Sequence, residues 1–127
     1  DAVSPLDLRM VSSNVFTDPE IATVGYSQAD SAEGVVNAET ITLPLATNAR
    51  AKLAGLGEGI VKLLCRRGTR IVVGGVVVTP RASELIHPIA LAEENRLTVD
   101  QVAQTITVNQ SLTGSIAQAA RRLHRTD

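Results

Sequence analysis

The stretch that most restricts the fold is GIVKLLCRRGTRIVVGGVVV, residues 59–78. Two apolar runs flank Gly68, which predicts a β-hairpin. β-branched residues crowd both arms, and a glycine stands where the backbone must reverse. The second arm, IVVGGVVV, has no polar position on either face. A strand of that kind has to be covered on both sides, by its own chain or by a partner. The adjacent glycines Gly74 and Gly75 inside it predict a bulge or the close approach of another backbone.

Around the hairpin the pattern divides the chain. Upstream, RMVSSNVFT and IATVGYS read as short extended segments joined by a turn at Asp18-Pro19. SQADSAEG reads as a short helix, with Ser27 as cap, Asp30 as a first-turn acid and Gly34 at its end. VVNAETITLPL is extended, and ATNARAKLAGLGEG is a loop with some helical turn. Downstream the period becomes helical. In TPRASELIHPIALAEEN, Thr79 is placed as cap and Pro80 as first helical residue. Leu85, Ile89 and Ala92 share one face there, and Pro88 is expected to kink the helix or end it early. LTVDQVAQTI opens with Thr98 and has Gln101 three residues on, a capping box. A last helix runs from about Leu112. Its stripe is Leu112, Ile116, Ala119 and Leu123, with Arg121, Arg122 and Arg125 in the final turns.

Strands first and helices last predict an α+β domain: an antiparallel or mixed sheet with helices packed on it. With 127 residues, one domain is expected, and such a chain buries roughly two thirds of its unfolded surface. Phe16 and Tyr26 are the only aromatic residues, so the core must be aliphatic. The chain begins without Met, and it is expected to be a piece of a longer protein.

The titratable inventory is thin. Net charge is −1 with both signs mixed, which argues against nucleic acid as a partner. No apolar run approaches the roughly 20 residues that span a bilayer. The single Cys65 excludes an internal disulfide and a cysteine-based metal site, and it fits a reducing, cytoplasmic setting. Its place in a strand favours a buried apolar role over a nucleophilic one. Two histidines, His87 and His124, are too few for an expected metal site. His87 reads as a surface or interface residue, and His124 as a solvated one at a helix end. GLGEG is not followed by a helix and so fails as a phosphate loop. Ser12, Ser13 and Ser111 have no histidine near in sequence, Ser83 stands four residues before His87, and two histidines leave few options for a triad. Glu93-Glu94 reads as a solvated helix end, and RRLHR as a solubilising cap.

Several stretches together resemble the C-terminal dimerisation (interface) domain of the flavoprotein disulfide reductases. That family includes lipoamide dehydrogenase, glutathione reductase and mercuric reductase. VFTDPEIATVGYS (15–27), NARA (48–51), GIVKLL (59–64), ASELIHPIALA (82–92) and LTVDQVAQTI (97–106) occur in the family's order. Within the family, the chain is similar to the lipoamide-dehydrogenase-like quinone reductases. The resemblance implies a homodimer, with FAD- and NAD(P)H-binding domains upstream of residues 1–127. It implies FAD and NAD(P)H as cofactors of the parent protein, with neither bound by this piece alone. Leu85, Ile89, Leu112 and Ile116 are expected at the dimer interface.

In disulfide reductases the final segment carries His-Pro-Thr-Leu-Ser-Glu, whose His and Glu serve the redox thiol. In TVNQSLTGS (107–115), aligned on Leu112, those two positions fall on Asn109 and Gly114. Asn109 cannot exchange a proton near neutral pH, and Gly114 cannot orient a partner. The dyad is therefore expected to be missing, so no residue of this chain is expected to be catalytic. Asn109 and Gln110 either contact the partner's flavin or its acceptor, or are turn and cap residues only. The resemblance then implies an FAD-dependent NAD(P)H oxidoreductase with a quinone-like acceptor. The alternatives are a disulfide reductase with a different proton donor and a purely structural association module.

Overall fold

The computed structural model describes residues 10–55, 58–105, 107 and 111–123. Five strands form one sheet in the order β1-β2-β5-β4-β3. They are β1 (Ser13–Val15), β2 (Ile21–Gly25), β3 (Ala38–Pro44), β4 (Ile60–Arg66) and β5 (Val72–Val78), and each neighbouring pair is antiparallel. The helices are α1 (Gln28–Ala32), α2 (Ala49–Leu53), α3 (Ala82–Glu94), α4 (Val99–Gln104) and α5 (Gly114–Leu123). The α+β expectation holds. The sheet is antiparallel because the predicted hairpin, β4–β5, sits inside it, with β2 added on one side and β3 on the other.

β5 is covered along its inner face and at the Val73–Gly74 end of its outer face, while Val76 and Val78 stay half-buried. On the inner face Ala22, Val24, Leu43, Val61, Leu63 and Val77 pack with Leu85, Ile86 and Ile89 of α3 and with Ile116, Ala120 and Leu123 of α5. Side chains alternate across a strand, so Leu64 and Val73 point the other way. They meet Val36, Ala38 and Tyr26 in a second, smaller cluster. Both glycines are used for close approach. A Cβ on Gly75 would lie 2.7 Å from a methyl of Ile89, and one on Gly74 would lie 2.1 Å from the Tyr26 carbonyl oxygen. The predicted bulge is present beside them. Pairing steps from Leu64–Gly74 to Cys65–Val72, which leaves Val73 opposite no residue of β4. The Val73 carbonyl accepts instead from Tyr26 N–H at 2.9 Å.

The caps of the short helices follow the sequence. Ser27 and Asp30 form a reciprocal capping box on α1, and Thr98 and Gln101 form one on α4. At α3 the sequence reading needs correction. The helix starts at Ala82, after Arg81 in a left-handed conformation (φ 66°), and not at Pro80 after a Thr79 cap. β5 runs on to Val78 and buries Thr79 completely. The capping acceptor comes from a distant segment: Glu20 Oε2 takes the Arg81 N–H at 2.7 Å, and the Glu20 carbonyl takes the Thr79 N–H. Pro88 does not end α3, which runs 13 residues. Its ring is exposed, and the buried face around it holds the helix against the sheet. Glu93, read as solvated, is 7% exposed and lies against Gly25. The helix turns there beneath the sheet edge, and only Glu94 faces water.

Two measurements check this packing. Gly74→Ala is expected to cost about 1–3 kcal/mol, because its Cβ meets backbone that cannot rotate away. The urea midpoint reads it, and an unchanged midpoint would count against the close approach. Burial pushes the Cys65 thiol pKa up, against a smaller opposing pull from Arg70. The folded chain therefore keeps this proton where the unfolded chain has released it. The associated stability is fully present below the ordinary thiol pKa of about 8.5 and is lost as pH rises through and above it. Urea midpoints should fall over that alkaline range, and Cys65→Ala should flatten the fall.

Candidate functional site at the start of the last helix

The turn into α5 is held from an unexpected direction. Asn48 caps α2, its Oδ1 accepting from Ala51 N–H at 3.0 Å. Its other side-chain atom, Nδ2, donates to the Ser111 carbonyl at 3.0 Å. One buried amide thus pins the start of α2 to the segment before α5. Asn48 was quoted above only as part of NARA. Its signal was an N-cap residue before a short helix, hidden because the surrounding stretch has no clear period.

Around that anchor the groups are polar and uncharged. Ser111 Oγ accepts from Gly114 N–H at 3.3 Å, the forward half of a capping box. The Ser111 and Thr113 hydroxyls lie 3.1 Å apart, and the Ser115 hydroxyl donates to the Leu112 carbonyl. A Cβ on Gly114 would stand 3.7 Å from Ser111 Oγ and from Thr107 Oγ1, and 3.9 Å from Asn48 Nδ2. Each of these neighbours can hydrogen-bond, and none titrates near neutral pH. Asn109 and Gln110 lie outside the described residues.

The residues expected at a dimer interface are placed differently from one another. Leu85, Ile89 and Ile116 are buried in the chain's own core, at 6%, 1% and 4% exposure. These side chains pack on the chain's own sheet, because α3 and α5 both lie on its inner face. Leu112 is half-buried at the edge of that core. The outward surface of α3 carries Pro88 and Leu91 instead, and Leu91 is 49% exposed. Those two line an apolar cavity of about 400 Å³ that also takes in Leu97, Val102, Thr107 and Ile116. The cavity therefore joins α3, α4 and α5 to the turn before α5.

The remaining candidates stay apart from this turn. His87 is exposed on α3, and His124 lies outside the described residues. Among the described residues no group of three or more His, Cys, Asp and Glu could hold a metal ion. Cys65 is fully buried in β4, where its raised pKa keeps it a thiol. Ser12, Ser13 and Ser83 are exposed, as are Arg121 and Arg122. No helix among the described residues is long and apolar enough to cross a membrane.

Comparison with known proteins agrees with this architecture. Residues 11–120 match the family described as pyridine nucleotide-disulphide oxidoreductase, dimerisation domain. The whole chain is 57% identical to a Mycobacterium tuberculosis protein named NAD(P)H dehydrogenase (quinone), of which it covers 26%. Over 120 residues, 94% of the chain, it is 36% identical to mercuric reductase of Acidithiobacillus ferrooxidans and covers 22% of that protein. It superimposes on the crystal structure of LpdA from Mycobacterium tuberculosis with a TM-score of 0.95 and 57% identity, over 98% of this chain and 27% of that one. The chain thus spans about a quarter of the length of these relatives. With the match reaching from β1 to α5, the chain belongs to the dimerisation-domain family of the pyridine nucleotide-disulphide oxidoreductases.

Proposed function

We propose that this domain forms the dimer interface of a longer homodimeric FAD-dependent NAD(P)H oxidoreductase, and that the parent passes electrons through its flavin to a quinone-like acceptor. The observation that carries the proposal is the chemistry at the start of α5. Gly114 stands among Ser111, Thr107 and Asn48, at the position that the resemblance aligns with the glutamate of a disulfide reductase. A thiol-disulfide step needs a group that takes and returns a proton near neutral pH. A hydroxyl or an amide does not do so. The relative named NAD(P)H dehydrogenase (quinone) supports the same acceptor class.

FAD, when bound to the parent, supplies the hydride and electron chemistry, and that chemistry requires no thiol dyad. The residues present fit a supporting role towards it. The turn offers the hydroxyls of Ser111 and Thr113 and the amide of Asn48, which suit an uncharged acceptor oxygen or the polar edge of a ring, and Asn109 and Gln110 are the proposed contacts with the partner's flavin or its acceptor. Asn48 fixes the height of the turn through Ser111, and the cap on Gly114 N–H fixes where α5 begins. The mercuric reductase relative favours a second reading. In it the parent is a disulfide reductase whose proton donor lies outside these 127 residues, beside a redox cysteine pair.

Two experiments follow. The full-length parent is expected to reduce quinones with NAD(P)H and to leave lipoamide essentially untouched. Robust lipoamide reduction would overturn the proposal in favour of the second reading. Gly114→Ala is expected to stabilise the domain by about 0.4–1 kcal/mol, because the added Cβ finds ordinary contact distances and the unfolded chain loses freedom. A lower melting temperature would mean that the glycine is required by the backbone there.

A further inference from the structure

Leu112, in the turn before α5, lines a second cavity. It measures about 330 Å³ and is enclosed by Arg50 and Ala54, by Pro80 and Arg81 at the start of α3, and by Leu112 itself. That volume falls in the range of small-molecule clefts, roughly 300–1,000 Å³. Its walls are almost wholly apolar, and the two charged groups on it are guanidiniums. Arg50 and Ala54 stand four residues apart, so both lie on one side of α2. α2 reads ARAKL, with two cations and no acid.

Both arginines stand on fixed bases. Asn48 caps α2 two residues before Arg50 and also holds the Ser111 carbonyl, so one amide sets α2 and Leu112 together. Arg81 is set from another segment. Its N–H is held by Glu20 Oε2 at 2.7 Å, and Glu20 Oε1 accepts from Asn14 Nδ2 at 3.1 Å. The backbone held there is left-handed, φ 66°. An N-cap is ordinarily extended, and the left-handed form crowds Cβ against the carbonyl. Arg70 and Arg96 share the positive φ, but they sit at a hairpin turn and just past a helix end, where it is common. Enforced backbone strain of the Arg81 kind gathers at ligand sites. Among the described residues no acid forms an ion pair with the Arg81 side chain.

We infer that this cavity is a subsite for quinone acceptors that carry an acidic substituent, a carboxylate or a sulfonate, with Arg50 and Arg81 as its specificity-determining residues. The inference rests on the proposed reading of the parent as a quinone reductase and names the class of acceptor. A guanidinium meets such an acid with two parallel hydrogen bonds, and it also stacks on an aromatic ring. The apolar walls suit the ring, and the two cations suit the acid. Inorganic phosphate would leave the walls uncovered, and a neutral quinone would leave both charges without a counterpart. Leu112 connects the cavity to the hydroxyls of Ser111 and Thr113. An acceptor held here by its acid therefore has its ring oxygens beside the turn.

The test uses the full-length parent. Naphthalene-2-sulfonate, which has no quinone to reduce, is titrated by calorimetry into the wild type, Arg50→Gln and Arg81→Asn. Asparagine tolerates the left-handed backbone, so the second change removes the charge and keeps the turn. The wild type is expected to bind the sulfonate, and each variant to bind it about five- to tenfold more weakly, as the loss of one partly exposed charged contact implies. The sulfonate is expected to compete with 1,4-naphthoquinone-2-sulfonate during turnover. In each variant the kcat/KM for that quinone, relative to unsubstituted 1,4-naphthoquinone, is expected to fall by the same factor, through KM. No binding to the wild type, equal binding by the variants, or binding without competition would each overturn the inference. Quinone turnover without arginine-dependent sulfonate binding sinks this inference alone. A parent that reduces neither quinone sinks the enzymatic reading and this inference with it.

Discussion

Much of this architecture depends on the absence of two side chains. Gly74 and Gly75 leave the backbone of β5 bare at the centre of the sheet, one towards Tyr26 and the other towards Ile89. Interiors pack near crystal density, so a single methyl at either place would push one layer away from the other. Because Ile89 can sit directly on Gly75, α3 lies close enough to β2 and β5 for Leu85 and Ile86 to reach the same core. Because Tyr26 can approach Gly74, the chain leaving β2 turns back over the sheet and donates to the Val73 carbonyl that the bulge exposes.

The candidate site inherits its position from that frame through one amide. α5 packs under β3 and β4, and its beginning is set by Ser111, whose carbonyl is held by Asn48. Asn48 in turn is fixed by capping α2. The arrangement puts hydrogen-bonding groups at a defined height beside an apolar cavity, and none of those groups among the described residues titrates near neutral pH. Such a place can orient a ligand without exchanging a proton with it. That is why the reading of function turns on what the start of α5 lacks as much as on what it contains.

The hairpin, the two capping boxes and the meaning of the paired glycines were legible in the sequence because each depends on residues close together in the chain. Three features were not, and each depends on distance. The cap of α3 comes from Glu20, some sixty residues before Arg81, so the local Thr79-Pro80 pattern pointed to the wrong start. Pro88 looked like a helix breaker because periodicity cannot say that its ring faces outward while its neighbours are pinned to a sheet. Periodicity marks Leu85, Ile89 and Ile116 as apolar faces but cannot say that they pack on the chain's own sheet. For the site, the sequence carried Gly114 but not Asn48, whose importance exists only once Ser111 has been brought to it.

The outer face of the sheet has a sealed end, under Tyr26 and Val36, and a barer end at Val15 and Ile21. A substitution therefore meets different surroundings at the two ends. Substitutions at Leu64 or Val36 are judged by whether this polypeptide folds at all. Substitutions at Ile21 or Val78 change side chains that are only partly buried, so the domain's own core tolerates them more readily. One sheet face thus carries two levels of constraint, a strict one and a loose one, along the same strands.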